Sequence, residues 1–449
     1  MLLLLYNSVA MVNYELALYI INFVFYGIFL IMLGLSWYYV AGFFISMKRI
    51  KKAPHSDKLT KFAVLVPARN EGHVIGNIMK ALKAQTYNPD YFDVWFIVES
   101  EDDPTIKQAQ EYGYNYFVRD ELTDKRKTKG FAIQECIRYF KNNNIHYDAY
   151  MIFDADNVMD EDYLEQMNNL RQTGVEVGVG YRNFTNINTN WLTAGSAILF
   201  TYINSFTGKN RTIFFKKAVL CGTGYYINSD IIDEAGGWIF TGMTEDSELT
   251  VYCEYHNINM CYYPLINFYD EQSPSYRTNH AQHIRWIWGF FIDRKKFKKG
   301  GKMHSATSKA LHRAALFDFN VSMIPLIVCV VADFLVLIPA VVLMAISIYQ
   351  KSEYMVPMIQ TTAIAAGFLY FIMMVAGAAT IIHNFNRLKL KWWMIIVAIV
   401  TYPLYWVDII LAALHGLFVP RRRKTWTPIK HSGKIDNKKA KKACDYDNK

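Results

Sequence analysis

Cysteine is scarce and unpatterned in this chain. Cys136, Cys221, Cys253, Cys261, Cys329 and Cys444 show neither the paired spacing of a zinc site nor the density of a disulfide scaffold, and they read as packing residues. No repeat of about 20 to 50 residues recurs, which excludes solenoids and propellers. The N-terminus lacks the basic start and small-residue cleavage site of a secretory signal peptide. Charge is absent altogether from residues 16–47, "LALYIINFVFYGIFLIMLGLSWYYVAGFFISM", a run longer than the roughly 20 residues that cross a hydrocarbon core.

What is present is of two kinds. With 52% hydrophobic and 16% aromatic residues and a mean hydropathy of +0.06, the chain is too apolar for an ordinary soluble domain and too mixed for a pure membrane bundle. The uncharged run predicts one transmembrane helix, and apolar stretches near 321–350, 354–382 and 392–419 predict more. Between the first and second lie about 270 residues of mixed, periodic sequence, enough for one sizeable core. "MKRIKK" after the first run places this middle domain in the cytoplasm of a plasma-membrane protein, with the N-terminus outside. Basicity gathers beside apolar segments, in "MKRIKK", "RKKFKKGGK" and "RRRK", where it suits anionic lipid headgroups. Residues 421–449 alone hold eleven Lys and Arg against three Asp, about eight of the formal +9. Membrane lipids are therefore expected partners, and nucleic acid is not.

The expected organisation is a transmembrane helix at 1–48, a cytoplasmic domain at 49–278, interface helices at 279–319, a membrane region at 320–420 and a basic cytoplasmic tail at 421–449. Four full crossings would leave that tail outside, against the positive-inside rule. Either the stretch holding Pro325, Asp333 and Pro339 or the one broken at Pro403 is thus expected to be re-entrant or divided. The tail segment "TWTPIKHSG" reads as a piece that docks back or as part of a disordered tail.

Within the middle domain, "KFAVLVPARNEG" predicts a buried strand ending in a polar loop, "VIGNIMKALKAQ" a helix, and "DVWFIVESEDDPT" a second strand ending in acids. The alternation continues through "TIKQAQEYG", "YNYFVRD", "KGFAIQECIRYFKNN" and "DAYMIFDADNVM". Such a pattern predicts an α/β fold with a mostly parallel sheet flanked by helices, whose ligands bind beyond the carboxyl ends of the strands. Those ends carry Asn70, Glu99, Asp102, Asp103, Asp154 and Asp156.

Each motif has a plain reading beside the chemical one. Asp154 and Asp156, two apart on a segment expected to be extended, would point to one side and hold a hard divalent cation, or simply form an acidic turn. Arg126, Lys127 and Lys129 beside Gly130 suit a diphosphate cradle or a solvated basic turn. "CGTGYYI" is a glycine-rich turn into a strand. In "GMTEDSEL", Thr244 could cap a helix whose dipole Glu245 and Asp246 complement. "AQHIRWIWGFF", residues 281–291, suits an amphipathic helix at a membrane surface with Trp286 and Trp288 as anchors.

Taken in order, "VPARNE", "VESEDD", "TKGFA", "DAD", "GTG", "TED" and "QHIRW" resemble the membrane-embedded family 2 glycosyltransferases, the group that includes cellulose, hyaluronan and poly-N-acetylglucosamine synthases. The resemblance covers about residues 60–290 and implies a GT-A fold, a UDP-sugar donor and Mg2+ or Mn2+ as cofactor. It implies that Pro67, Asn70, Glu71, Glu99 and Asp103 lie on the nucleotide side and that Lys129 meets the diphosphate. Asp154 and Asp156 match the metal and diphosphate site, and Asp246, beside Glu245, matches the general base. Gln282, Arg285 and Trp286 match the helix that covers the nucleotide, with Trp286 also facing the acceptor near Gly222, Thr223 and Gly224. Two departures stand out: Glu99 replaces a usual Asp, and His283 stands where many members have Arg.

The activity so implied is inverting, processive polymerisation of a sugar into an exported β-linked polysaccharide. The alternatives are transfer of one sugar to a lipid acceptor and a non-enzymatic channel or transporter with Asp333, Asp408 and His415 along its path, the latter leaving the acidic strand ends unexplained. Chemically, transfer needs a base for the acceptor hydroxyl and charge stabilisation for the departing diphosphate, and these residues supply both.

Overall fold

The computed structural model describes residues 16, 20, 23, 27, 42–120, 128–293, 296–297, 303–321, 355–418, 433 and 435. The chain forms two compact units, Met1–Ile45 with Phe317–Ala376, and Ser46–Leu316 with Gly377–Lys449. The second contains the sheet. Its first half alternates as the sequence predicts: β1 (Phe62–Pro67), α1 (Ile75–Lys83), β2 (Phe92–Val98), α2 (Pro104–Tyr112), β3 (Asn115–Val118), α3 (Lys129–Asn142) and β4 (Ala149–Ile152). The run "FAVLV" is apolar throughout because both faces of β1 are covered. Phe62, Val64 and Val66 enter one core, and Ala63 and Leu65 the other. Each buried aliphatic or aromatic side chain of this kind contributes about 1.5–3 kcal/mol.

The second half brings β5 (Val158–Met159), α4 (Tyr163–Gln172), β6 (Val177–Phe184), α5 (Trp191–Tyr202), β7 (Tyr225–Asn228), α6 (Glu245–Tyr255), β8 (Met260–Asp270) and α7 (Tyr276–Asp293). The strand order is β3-β2-β1-β4-β7-β6-β8-β5. Strands β3 to β4 are parallel, but β7 runs antiparallel to both β4 and β6, and β5 antiparallel to β8. The sheet is therefore mixed, which corrects the expectation of a mostly parallel one. The reversal is set locally: after the helices that follow β6, a tight turn at Gly222–Gly224 leads the chain into β7 beside β4. The Gly224 N–H donates to the Ile152 carbonyl at 2.9 Å, and this sets the 222–224 turn beside the end of β4.

Four of the cysteines behave as packing residues: Cys136, Cys253 and Cys261 are buried, and Cys221 lies against the core built on Phe184 and Ile198, while Cys329 and Cys444 lie outside the described residues. Among the described residues one helix segment, Trp392–Gly416, is long and apolar enough to cross a membrane. It belongs to α8 (Trp392–Phe418), while the predicted stretch 354–382 is also helical, as Met355–His383. The stretch 321–350, Val321 apart, and most of 16–47 lie outside the described residues, as do Arg126, Lys127 and nearly all of the tail. At Gly433 the tail does dock: its N–H donates to Glu271 Oε2 at 3.0 Å, and Asn77 Nδ2 donates to its carbonyl at 3.4 Å.

Candidate active site

Lys129 opens α3, with Thr128 as N-cap accepting the Phe131 N–H at 3.4 Å. The Thr128 hydroxyl donates to the Thr241 carbonyl at 3.0 Å, tying this helix start to the loop before α6. Gly130 allows the approach, since a Cβ there would overlap the Phe240 carbonyl. Lys129 Nζ consequently lies 2.5 Å from Asp154 Oδ1, 2.7 Å from the Gly222 carbonyl and 3.7 Å from Glu245 Oε1. Three sequence motifs thus meet at one ammonium.

Gly222 has φ of +87°, a left-handed conformation that favours glycine. Its absent Cβ would sit 4.0 Å from Asp154 Oδ2 and 3.9 Å from Asp246 Oδ2, so the turn leaves an open cradle between these carboxylates. The first turn of α6 carries Glu245, Asp246 and Glu248. Glu248 accepts the Gly242 N–H at 2.9 Å and pairs with Lys296, leaving the other two for the cleft. Thr244 occupies the N-cap position without a side-chain capping bond, so the plain capping reading of "TED" fails.

The segment after β4 is a turn and not the extended run expected, because the Asn157 N–H closes onto the Asp154 carbonyl at 3.1 Å. Asp154 and Asp156 consequently have different partners. Asp156 Oδ2 accepts the Glu271 N–H at 3.1 Å, whereas Asp154 takes Lys129. Asn157, which follows "DAD" directly, organises this corner: its Oδ1 accepts the Asp154 N–H at 3.1 Å and the Thr223 hydroxyl. Its Nδ2 donates to Asp270 Oδ1 at 3.3 Å. Arg182 pairs with Asp270 and donates to the Cys221 carbonyl at 2.8 Å, bracing the turn from beneath. Sequence reading missed Asn157, Arg182 and Asp270. A strand-end acid such as Asp270, at the end of β8, is the signal that could have found the last.

Burial sets the electrostatics. It pushes the Glu245 carboxyl up to about 8, against the pull of Lys129 and with help from Asp246 and Asp154. It also raises Asp246, opposed by backbone N–H groups, Lys129 and Arg285. For Lys129 burial acts downward, but Asp154, Glu245 and Asp246 outweigh it and hold the ammonium above its usual range. Arg285 is lowered by burial, with Glu245, Asp246 and Asp154 opposing, and its Nε is buried without a hydrogen-bond partner among the described residues. A buried, unpaired guanidinium donor beside a carboxylate cleft fits an anion that arrives with its own cation.

The remaining predicted residues stand at the ends of β1 and β2, with β1 the parallel neighbour of β4, and on α7. Glu99 is engaged by Arg69 at 2.7 Å and Arg119 at 3.5 Å, and Asp103 caps α2 at the Thr105 N–H while accepting the Asn70 N–H at 3.1 Å. Asn70 is left-handed at φ 56°, and the Glu71 carbonyl accepts the N–H groups of Val74 and Ile75. With Pro67 ending β1, these gather at the ends of β1 and β2. Gln282 is half-buried. Trp286 stands edge-on to Phe200 at 5.4 Å, and the same Phe200 ring carries the Arg182 guanidinium at 4.0 Å.

Asp154 offers a hard oxygen donor beside the open cradle over Gly222, and Asp156 follows it two residues on, so the pair has the donor chemistry that Mg2+ or Mn2+ takes. Among the described residues no three acidic, His or Cys side chains converge to make a cage, and phosphate oxygens would complete the shell. If Asp246 must be ionised to work, raised basicity puts the acidic limb of kcat/KM above the ordinary carboxylate range, with activity rising as pH rises through it. Lys129→Met removes a cation that lowers both carboxylates, so that limb should move further upward. A pH–rate profile of the two proteins reads the shift directly, and an unmoved limb would detach Lys129 from the pair.

Comparison with known proteins agrees with this picture. The chain is 25% identical over 243 residues to the Bacillus subtilis (strain 168) protein named "Probable glycosyltransferase YdaM", covering 52% of this chain and 56% of that one. It is 25% identical over 236 residues to the β-monoglucosyldiacylglycerol synthase of Nostoc sp. (strain PCC 7120), covering 51% and 48%. The chain thus spans about half the length of the curated relatives it matches. Its fold is similar to that of the mannosyltransferase PcManGT from Pyrobaculum calidifontis in complex with GDP-Man and Mn2+. That likeness has a TM-score of 0.51 at 15% identity, over 84% of this chain and 94% of the other. Residues 60–289, half of the chain, match the family described as "Glycosyltransferase like family 2", and the chain belongs to that family.

Proposed function

We propose that this glycosyltransferase moves a sugar from a UDP-sugar to a membrane-borne acceptor with inversion at the anomeric carbon. The observation that carries the proposal is the convergence of Lys129, Asp154, Glu245 and Asp246 around the cradle at Gly222. Lys129 and Arg285 would face the diphosphate, and Asp154 with Asp156 would hold Mg2+ or Mn2+. The bound cation would stabilise the charge of the leaving group. Asp246, against the acceptor-side turn, takes the proton of the attacking hydroxyl. Glu245 is turned to Lys129, which leaves no second carboxylate placed as a nucleophile and favours a direct, inverting displacement. Engagement of Glu99 by two arginines removes it from simple contact with a uracil ring, so the donor panel must include GDP-sugars. Release of UDP or GDP from such a panel by the purified full-length protein, with the product sized afterwards, is the test. No release from any member would reject the proposal.

Two acceptors fit. The ordered motif set ending in Q-x-x-R-W favours a growing β-linked polysaccharide exported through a multi-pass plasma-membrane protein, with the catalytic domain cytoplasmic. Similarity to the β-monoglucosyldiacylglycerol synthase favours a single transfer to a lipid. Ethanol-insoluble product would support the first, and organic-extractable product the second.

Trp286 separates a platform from an anchor. Trp288 is committed elsewhere: its Nε1 donates to the Ala413 carbonyl at 3.3 Å. Trp286→Ala should therefore depress transfer strongly while nucleotide affinity and membrane retention persist. The lost stacking face is worth about 0.5–1.5 kcal/mol by analogy with aromatic pairs, and misplacement of the acceptor adds to it. Equal losses in Trp286→Ala and Trp288→Ala would return α7 to a plain surface helix.

A further inference from the structure

The apolar helix α8 contains a single carboxylate, Asp408, which is buried. A carboxylate in such a setting is costly unless its lone pairs are satisfied. Here three partners come from α7. His280 Nδ1 lies 2.7 Å from Oδ1, His283 Nδ1 lies 2.7 Å from Oδ2, and the Tyr276 hydroxyl also bonds the group. Residues 276, 280 and 283 are spaced four and three apart, so they form one stripe of the helix. Since a carboxylate only accepts, each imidazole presents its Nδ1–H. The Nε2 atoms are then fixed as well, His283 against the Tyr405 hydroxyl at 3.0 Å and His280 against His415 Nδ1 at 3.0 Å.

This network reaches the transfer site through one ring. His283, held at both nitrogens, stands edge-on to Tyr405 at 5.1 Å and against Trp286 at 5.4 Å. Trp286 in turn leans on Phe200, whose other neighbour, Arg182, braces the Cys221 carbonyl. An imidazole pinned in this way cannot rotate to let the indole relax.

We propose that Asp408 is a positioning residue for sugar transfer: through His283 it fixes the indole of Trp286 at the acceptor side of the cleft. The inference rests on the function proposed above. Asp408 touches neither donor nor acceptor, and its effect should be confined to steps that need a placed acceptor. Hydrolysis of the donor by water needs no such platform. It serves as the internal reference.

The test uses full-length protein in detergent with the UDP- or GDP-sugar from the panel that wild type turns over fastest. Hydrolysis is measured without acceptor and transfer with membrane extract as acceptor source. Asp408→Asn removes the charge that orders both imidazoles, and His283→Gln is the second variant should the first fold poorly. Val407→Ala, on the exposed face of α8, is the control. The expected result is a transfer-to-hydrolysis ratio about ten-fold lower in both variants, with a raised KM for acceptor and nucleotide affinity within about two-fold of wild type. An unchanged ratio, whether both rates fall together or neither falls, assigns the network to holding the helices and overturns the proposal. Loss of nucleotide binding in both variants does the same. Absence of any donor turnover by wild type would overturn the proposed function and this inference together, an outcome distinct from an unchanged ratio.

Discussion

Asp246→Asn should lower sugar-transfer turnover by about 10² to 10⁴ while leaving nucleotide affinity nearly unchanged. Asparagine keeps the shape of the side chain and removes only its capacity to take a proton. The start of α6 should survive the change, because the asparagine amide oxygen can still accept the Ser247 N–H and the Thr250 hydroxyl still donates to the backbone carbonyl of residue 246 at 2.8 Å. Nucleotide contacts should survive as well, because Lys129 bonds Asp154 and faces Glu245. Burial raises the Asp246 carboxyl, which makes it a stronger base than an exposed aspartate would be. Steady-state transfer rates beside calorimetric UDP binding give both numbers. Near-normal turnover would take the base role from Asp246 and hand it to Glu245, whose carboxyl is also raised.

The parallel half of the fold was legible because a doubly covered strand has a distinctive composition. "FAVLV" and "AYMI" are apolar on both faces, and an amphipathic helix follows each neighbouring strand. The mixed half was not, since the direction of β7 depends on how the turn at Gly222–Gly224 seats against Ile152, a contact between residues 72 apart in sequence. The site divides in the same way. Lys129, Asp154, Glu245 and Asp246 sit at strand or helix ends, where functional groups are expected, and the fold brings them together. Glu99 and Asp103 occupy equally suggestive strand ends, yet their carboxylates are engaged by Arg69, Arg119 and the start of α2. A sequence shows where acids stand but not which cations reach them first.

The same limit applies to the paired acids of "DAD". Alternation along an extended strand would set them side by side, whereas the turn closed by Asn157 sends them to separate partners. What they share is proximity to backbone already tied down by others, and this makes them removable without dismantling the corner.

Asp154→Ala combined with Asp156→Ala should abolish transfer together with its response to added Mn2+. The backbone at residue 154 is anchored by Asn157 Oδ1 at 3.1 Å and Thr223 Oγ1 at 2.9 Å, so truncating the carboxylates leaves the turn in place. Lys129 keeps Glu245 and the Gly222 carbonyl as partners, which limits the harm of leaving a buried ammonium. What disappears is the hard oxygen donor set, and with it the means of offsetting two phosphate charges at the cleft. Binding separates this from misfolding: wild type should bind UDP more tightly with Mn2+ than without, whereas the double variant should bind it weakly and equally in both conditions. Thermal unfolding should come a little earlier than in wild type, because the Glu271 N–H loses its acceptor and Lys129 one carboxylate, yet stay cooperative, because neither side chain carries the core. A double variant whose UDP affinity still rises with Mn2+ would place the cation on other oxygens, and Asp246 across the cradle at Gly222 would be the first to examine.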